Sequence, residues 1–336
     1  MKNYTKNEAK EWARSFLVGQ WSTLVTPFDE NGLIDEEGLR DNIEYIKSLG
    51  TNGAGCSWGM GEFWSLSTSE RKKLMFIVKD QAQDWPVAAH VSHTSIKDIF
   101  ELMDSAKSLD YELLIIGAPY FAARKSDQVI EFIKYIAQNT DLAIMYYNSP
   151  QFGTILNSND LNSIVEIENV VGVKEASFNK EISIASHLEL GTKAIISTPD
   201  EWIFWEGNKQ GFQQQVMFAN TSDWRFDTPD NNSYVKFINK ATKGIIDNNL
   251  YENEIRNIKN ISDKWWGKTV SDAGGVLPVA LCKYWGELVG MSSGCPRLPV
   301  IDLSDDDKKD LNFRFPSLLN NSIKLSILFA LLSNGQ

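Results

Sequence analysis

The chain has 336 residues, 43% of them hydrophobic and 23% charged, an ordinary globular composition with enough apolar material for a large core. Its formal net charge of −11 argues against a surface built to hold a nucleic-acid backbone or an anionic membrane, so an anionic substrate would need a locally positive pocket. The three cysteines, Cys56, Cys282 and Cys295, lack paired spacing, which indicates neither a disulfide framework nor a zinc cluster and fits a reducing cytoplasm.

The N-terminal stretch MKNYTKNEAKEWARSF is polar and lacks the apolar segment of a secretory signal. Eight short apolar, β-branched runs then alternate with segments of helical period up to about residue 248. The expected strands are Trp21–Pro27, Gly53–Ser57, Pro86–Val91, Leu113–Ala118, Ala143–Asn148, Val170–Lys174, Ala194–Ser197 and Gln215–Phe218. The expected helices between them include Asp35–Leu49, Thr68–Gln83, Ser95–Leu109, Ser126–Gln138 and Ser158–Ile167, several opening on a Ser, Thr or Asp that can cap free amides. This rhythm predicts an α/β fold, a (β/α)8 barrel over residues 1–248. A doubly wound sheet is the alternative, but Val25–Phe28 after the first strand is no glycine-rich fingerprint. Beyond residue 248 the strand signal stops, and Glu252–Trp266, Val276–Gly290 and Asp305–Phe313 read as a C-terminal helical region, 249–336. The apolar stretch Ile323–Leu332 is about half the length of a membrane span and reads as a buried or partner-facing helix.

In such a barrel, chemistry gathers at the C-terminal ends of the strands. Lys174 closes the sixth run behind Val170–Val173; burial there would lower its pKa and leave a neutral amine able to attack a carbonyl. A surface lysine paired with Glu175 is an equally open reading. Tyr147, at the end of the fifth run, could relay protons, or serve as a rim tyrosine bonded to a backbone carbonyl. Gly59 and Gly61 flank Met60 in a loop whose amides could form a carboxylate nest, though a simple tight turn is the commoner origin of such a pair. His90 and His93 lack a third ligand at suitable spacing, which argues against a metal site, although His90 could line the pocket. His187 reads as a surface or packing residue.

These residues resemble a known family, the dihydrodipicolinate synthase and N-acetylneuraminate lyase family of class I, Schiff-base aldolases. Trp21–Phe28 (WSTLVTPF) resembles its first strand and loop, Gly59–Glu62 with Leu66 and Glu70 its second loop, and Tyr147–Pro150 with Gly172–Ser177 (GVKEAS) its tyrosine and lysine motifs. The resemblance runs from about Gly19 to about Leu311. It implies a (β/α)8 barrel with a C-terminal helical extension, assembled as a dimer or tetramer. It also implies a lyase in which Lys174 forms a Schiff base with pyruvate or another 2-oxo acid, the Gly59–Gly61 amides hold the carboxylate and Tyr147 shuttles protons, with no cofactor or metal.

The chain also departs from that pattern. Gly59 and Met60 stand where many members have two threonines, Phe121 replaces an interface tyrosine, and Gln151–Gly153 lacks the arginine of the lysine-biosynthetic enzyme. Gln213–Gln215 in the eighth strand, with Trp58, Met60, Phe63, Trp64 and Phe152, imply a wide aromatic cavity with amide donors, among them Gln215 as a substrate-binding residue. A hydratase-aldolase of an aryl or apolar substrate is the favoured subgroup by analogy. A dehydratase of sugar-derived keto acids is the alternative, as is a member that lost catalysis and binds a small molecule.

Overall fold

The computed structural model describes residues 3–219 and 224–314; the apolar stretch Ile323–Leu332 lies outside them. The chain opens with α1 (Ala9–Phe16) and then alternates β1 (Gly19–Thr23), α2 (Glu36–Ser48), β2 (Gly53–Cys56), α3 (Thr68–Ala82), β3 (Val87–His90), α4 (Ile96–Ser108), β4 (Leu113–Gly117) and α5 (Ser126–Gln138). It continues with β5 (Ala143–Asn148), α6 (Ser158–Val165), β6 (Val170–Glu175), α7 (Lys180–Leu190), β7 (Ile195–Ser197), α8 (Trp202–Gln210), β8 (Val216–Phe218) and α9 (Ser233–Ala241). A helical region follows: α10 (Asn248–Leu250), α11 (Arg256–Asp272), α12 (Val279–Leu288) and α13 (Asp305–Arg314).

The eight strands are parallel, in the order β7-β6-β5-β4-β3-β2-β1-β8. The Ser197 hydroxyl accepts from the Phe218 amide at 3.1 Å across the remaining seam, between β7 and β8. This is the expected (β/α)8 barrel. Parallel strands covered by helices need apolar side chains on both faces, and every residue of Leu113–Gly117 and of Val170–Glu175 is buried. Large rings fill the barrel where neighbouring strands lack side chains. A Cβ at Gly53 would lie 2.7 Å from the Trp21 ring, and one at Gly55 2.4 Å from Trp58.

Two of the anticipated caps are in place, Asp35 accepting from Gly38 N at 2.9 Å and Ser95 from Asp98 N at 3.3 Å, whereas α3 and α6 are capped one residue before the expected opening, by Ser67, which shares a capping box with Glu70, and by Asn157. The N-terminal segment closes the barrel floor. Lys6, Lys10 and Arg14 donate to Ala137 O at 2.6 Å, Val165 O at 2.6 Å and Thr192 O at 2.9 Å, at or just past the C-terminal ends of α5, α6 and α7. Cations there satisfy end carbonyls and favour the negative pole of each helix.

Of the boundaries that differ from expectation, two involve the C-terminal region. β1 stops at Thr23 rather than Pro27, because the chain then leaves the sheet for the C-terminal region, the Phe28 amide donating to Ser293 O at 3.0 Å. α12 starts at Val279 rather than Val276, directly after Pro278, which suits only the start of a helix. No helix among the described residues is long and apolar enough to cross a membrane.

Candidate active site

β6 brings Lys174 into the barrel, in register with Tyr147 on β5 and Ser197 on β7. Its side chain is 5% exposed. The Nζ lies 4.4 Å from the Trp58 ring centroid, 4.6 Å from that of Tyr147 and 6.0 Å from that of Phe218. Ring faces favour a cation, but burial outweighs them and pushes the Lys174 pKa down to about 7. Pairing with Glu175, one of the two readings left open by the sequence, is not what the fold provides. Strand alternation turns Glu175 to the other face, where it accepts from Ser177 N at 3.0 Å, from Asn148 Nδ2 at 3.3 Å and from the Ser183 hydroxyl.

Burial pushes the Tyr147 pKa up to about 12, against a contact with the Ser149 hydroxyl that lowers it, so the phenol is neutral near pH 7. Its ring packs edge-on against Phe152 at 5.3 Å.

Gly59, Met60 and Gly61 form a single 3-10 turn after β2. The Gly61 amide closes that turn on Trp58 O at 2.9 Å and is not available to a ligand, which corrects the expected three-amide nest. The amides of Gly59 and Met60 open the turn and carry no bond among the described residues. Glu62, at φ 55° and fully buried, ends the turn. Its carboxylate meets Lys283 of α12 at 2.7 Å and accepts from Arg297 N at 2.9 Å.

Lys174, Tyr147, Gly59 and Met60 line one solvent-open cleft, together with Thr23, Trp58, Ala176, Phe178, Pro199, Ala219, Trp266 and Leu277. Gln215 is not part of it. It precedes β8, and its Nε2 donates to Arg14 O at 2.8 Å and Leu17 O at 2.7 Å in the barrel floor. Gln213 and Gln214 are likewise spent on Thr242 O and the Thr198 backbone. The cleft is also narrower than the sequence implied. Phe152 fills the space beside Gly117, where a Cβ would lie 2.6 Å from its ring, and stacks on Phe63 at 5.9 Å.

Of the histidines, His90 is fully buried, its Nδ1 2.8 Å from Ser57 O and its ring 4.7 Å from Phe63. His93 accepts from Ser95 N at 2.9 Å. His187 packs as expected of a core residue, stacked on Phe212 at 4.7 Å, and burial pushes its pKa down to about 3. Among the described residues no three His, Cys, Asp or Glu side chains are grouped to hold a metal ion.

Residues 17–222 match the dihydrodipicolinate synthetase family. The chain belongs to that family. In sequence, this dihydrodipicolinate synthetase family member is 31% identical over 160 residues to the 4-hydroxy-tetrahydrodipicolinate synthase of Methanothrix thermoacetophila, covering 47% of this chain and 54% of that one. It is 28% identical over 190 residues to the Bacillus subtilis enzyme of the same name, covering 56% and 63%. These alignments thus span between half and two thirds of the relatives' length. In structure it superposes on Proteus mirabilis N-acetylneuraminate lyase with a TM-score of 0.73 at 23% identity, covering 90% and 98%. It also superposes on a prophage protein of the dihydrodipicolinic acid synthase family from E. coli K12, solved in complex with pyruvate, with a TM-score of 0.76 at 18% identity, covering 90% and 98%. At these identities the likeness is one of fold.

Within this family member the unusual Gly59 has a local cause: a Cβ there would lie 2.4 Å from Leu277 Cδ1. Met60 joins Val25, Leu277, Val279 and Cys282 in a small apolar cluster. The C-terminal region thus packs where a side chain at 59 would otherwise stand, and against the side chain of Met60. Sequence reasoning missed Trp266, Leu277 and Thr23; Thr23 was placed inside β1 rather than at its end, where a side chain meets the cleft.

Proposed function

We propose that this protein is a Schiff-base lyase acting on pyruvate or a pyruvate-derived 2-oxo acid, with Lys174 as nucleophile and Tyr147 as proton relay. The observation that carries the reading is the buried amine of Lys174, with a pKa near 7, set beside a neutral tyrosine of the adjacent strand. An amine that is largely unprotonated at neutral pH can attack a keto carbon, and family membership supports the same chemistry.

Lys174 adds to the carbonyl to give a carbinolamine. Tyr147 donates its proton to the carbinolamine hydroxyl, which leaves as water, and a protonated imine remains beside the phenolate. The phenolate then accepts a proton from C3, and the electron pair of the broken C–H bond moves into the enamine. Attack of that enamine on an aldehyde forms a carbon–carbon bond, and the reverse sequence cleaves one. The free amides of Gly59 and Met60 hold the carboxylate.

The acceptor is an aryl or apolar aldehyde, as in the hydratase-aldolases, because Trp58, Met60, Phe178, Pro199, Trp266 and Leu277 with Ala176 and Ala219 make most of the cleft wall. The test is exchange of the pyruvate methyl protons in deuterated water, followed by proton NMR. Exchange that depends on the protein and disappears in Lys174→Met supports enamine formation; exchange that persists in the variant overturns it.

A further inference from the structure

We propose that Thr23 binds substrate directly, its hydroxyl donating a hydrogen bond to the carboxylate of the 2-oxo acid held by Lys174. The inference rests on the reading of Lys174 as the Schiff-base lysine.

Thr23 is the last residue of β1. Trp21, two residues earlier, points into the barrel, where its ring meets Phe218 at 5.4 Å. Strand alternation therefore turns Thr23 inward, one level above Trp21, and Ser22 outward toward the helices. Thr23 is 2% exposed and lines the cleft of Lys174, Tyr147, Gly59 and Met60.

Its Oγ1 has no hydrogen-bond partner among the described residues. Buried hydroxyls are almost always satisfied, so one left open in a ligand cleft marks a place where a ligand atom completes the bond. The Ser22 hydroxyl is also unpartnered, but it faces away from the cleft.

The end of β1 lies against the glycine turn: Thr26 Oγ1 donates to Gly61 O at 2.8 Å, and Leu24 N to Gly55 O at 3.0 Å. Among the described residues, the polar groups available in the cleft are then the Lys174 amine, the Tyr147 phenol, the two free amides and the Thr23 hydroxyl. The amine and phenol serve the keto carbon and its oxygen. The amides and the hydroxyl remain for the carboxylate, and apart from Lys174 no lysine or arginine among the described residues lines the cleft. A hydrogen bond to a carboxylate in so apolar a wall has a large effect on affinity.

The test compares Thr23→Val, which keeps the side-chain shape, with Thr23→Ser, which keeps the hydroxyl; Thr23→Ala stands in if the valine variant fails to fold. Half-saturating concentrations for borohydride trapping on Lys174 are measured with pyruvate and with methyl pyruvate, the same ketone with its carboxylate esterified. Thr23→Val should raise the pyruvate value about tenfold while methyl pyruvate stays within about twofold, as loss of a hydrogen bond to a charged group predicts. Thr23→Ser should restore the pyruvate value. Equal shifts for both ketones, or no shift, overturn the proposal. Trapping of neither ketone by the unaltered protein would instead show that the Lys174 reading has failed, and the proposal would fall with it.

Discussion

Tyr147 and Lys174 are register partners on adjacent parallel strands, and the Lys174 Nζ lies 4.6 Å from the Tyr147 ring centroid. The phenylalanine variant keeps the ring that packs on Phe152 and removes only the proton-bearing oxygen. Tyr147→Phe should therefore leave the protein folded and slow pyruvate methyl exchange by about 10²–10³-fold, the usual contribution of a positioned acid–base group. A fall of less than about threefold would remove Tyr147 from the relay.

The depressed Lys174 pKa sets the pH dependence. Imine formation should rise as pH increases through about 7, where the buried amine loses its proton. Stability follows the same group. Between about 7 and 10.5 the unfolded lysine is protonated and the folded one is not, so stability rises with pH across that window and the burden of burying the charge is full below it. Lys174→Met should accordingly raise the melting temperature, most at pH 6 and least near pH 10. A gain that is flat with pH would contradict the assignment.

Gly59→Ala places a Cβ 2.4 Å from Leu277 Cδ1, the free end of a flexible side chain that must turn aside, and should cost about 1 kcal/mol, the low end for overpacking. Leu277→Ala opens that space, so denaturant melts of the double variant should show a coupling of about 1 kcal/mol relative to the two single changes. Simple additivity would mean that the turn and the C-terminal region do not press on each other.

The buried Glu62–Lys283 pair ties the same turn to α12. Removing one partner leaves a buried charge uncompensated, so Glu62→Gln or Lys283→Met should each cost about 3–5 kcal/mol, with the double variant well below their sum. Burial lowers the Lys283 pKa and the Glu62 carboxylate opposes that shift, so the glutamate variant leaves a desolvated ammonium without its partner. Chemical denaturation of the three variants measures this directly.

Periodicity was enough for the barrel because each βα unit is local: Val170–Val173 and Leu113–Gly117 read as buried strands from composition alone. Lys174, Tyr147, Gly59 and Met60 could be singled out as candidates that share one cleft because strand ends and a glycine loop mark themselves in one dimension. Gln215 was misplaced for want of a strand start. A shift of the boundary to Val216 moves it to the barrel floor, where the Arg14 and Leu17 carbonyls claim its amide. Leu277 and Trp266 were invisible because their contact with the cleft spans most of the chain. Phe152 was counted as cavity wall, whereas the missing side chain of Gly117 lets it pack as core.

Borohydride reduction of the full chain in the presence of pyruvate, followed by intact mass and peptide mapping, tests the central claim most directly. The expected result is a single reduced pyruvate adduct on the peptide that carries Lys174, absent from Lys174→Met. Folded protein that yields no adduct, or an adduct on another lysine, would contradict it.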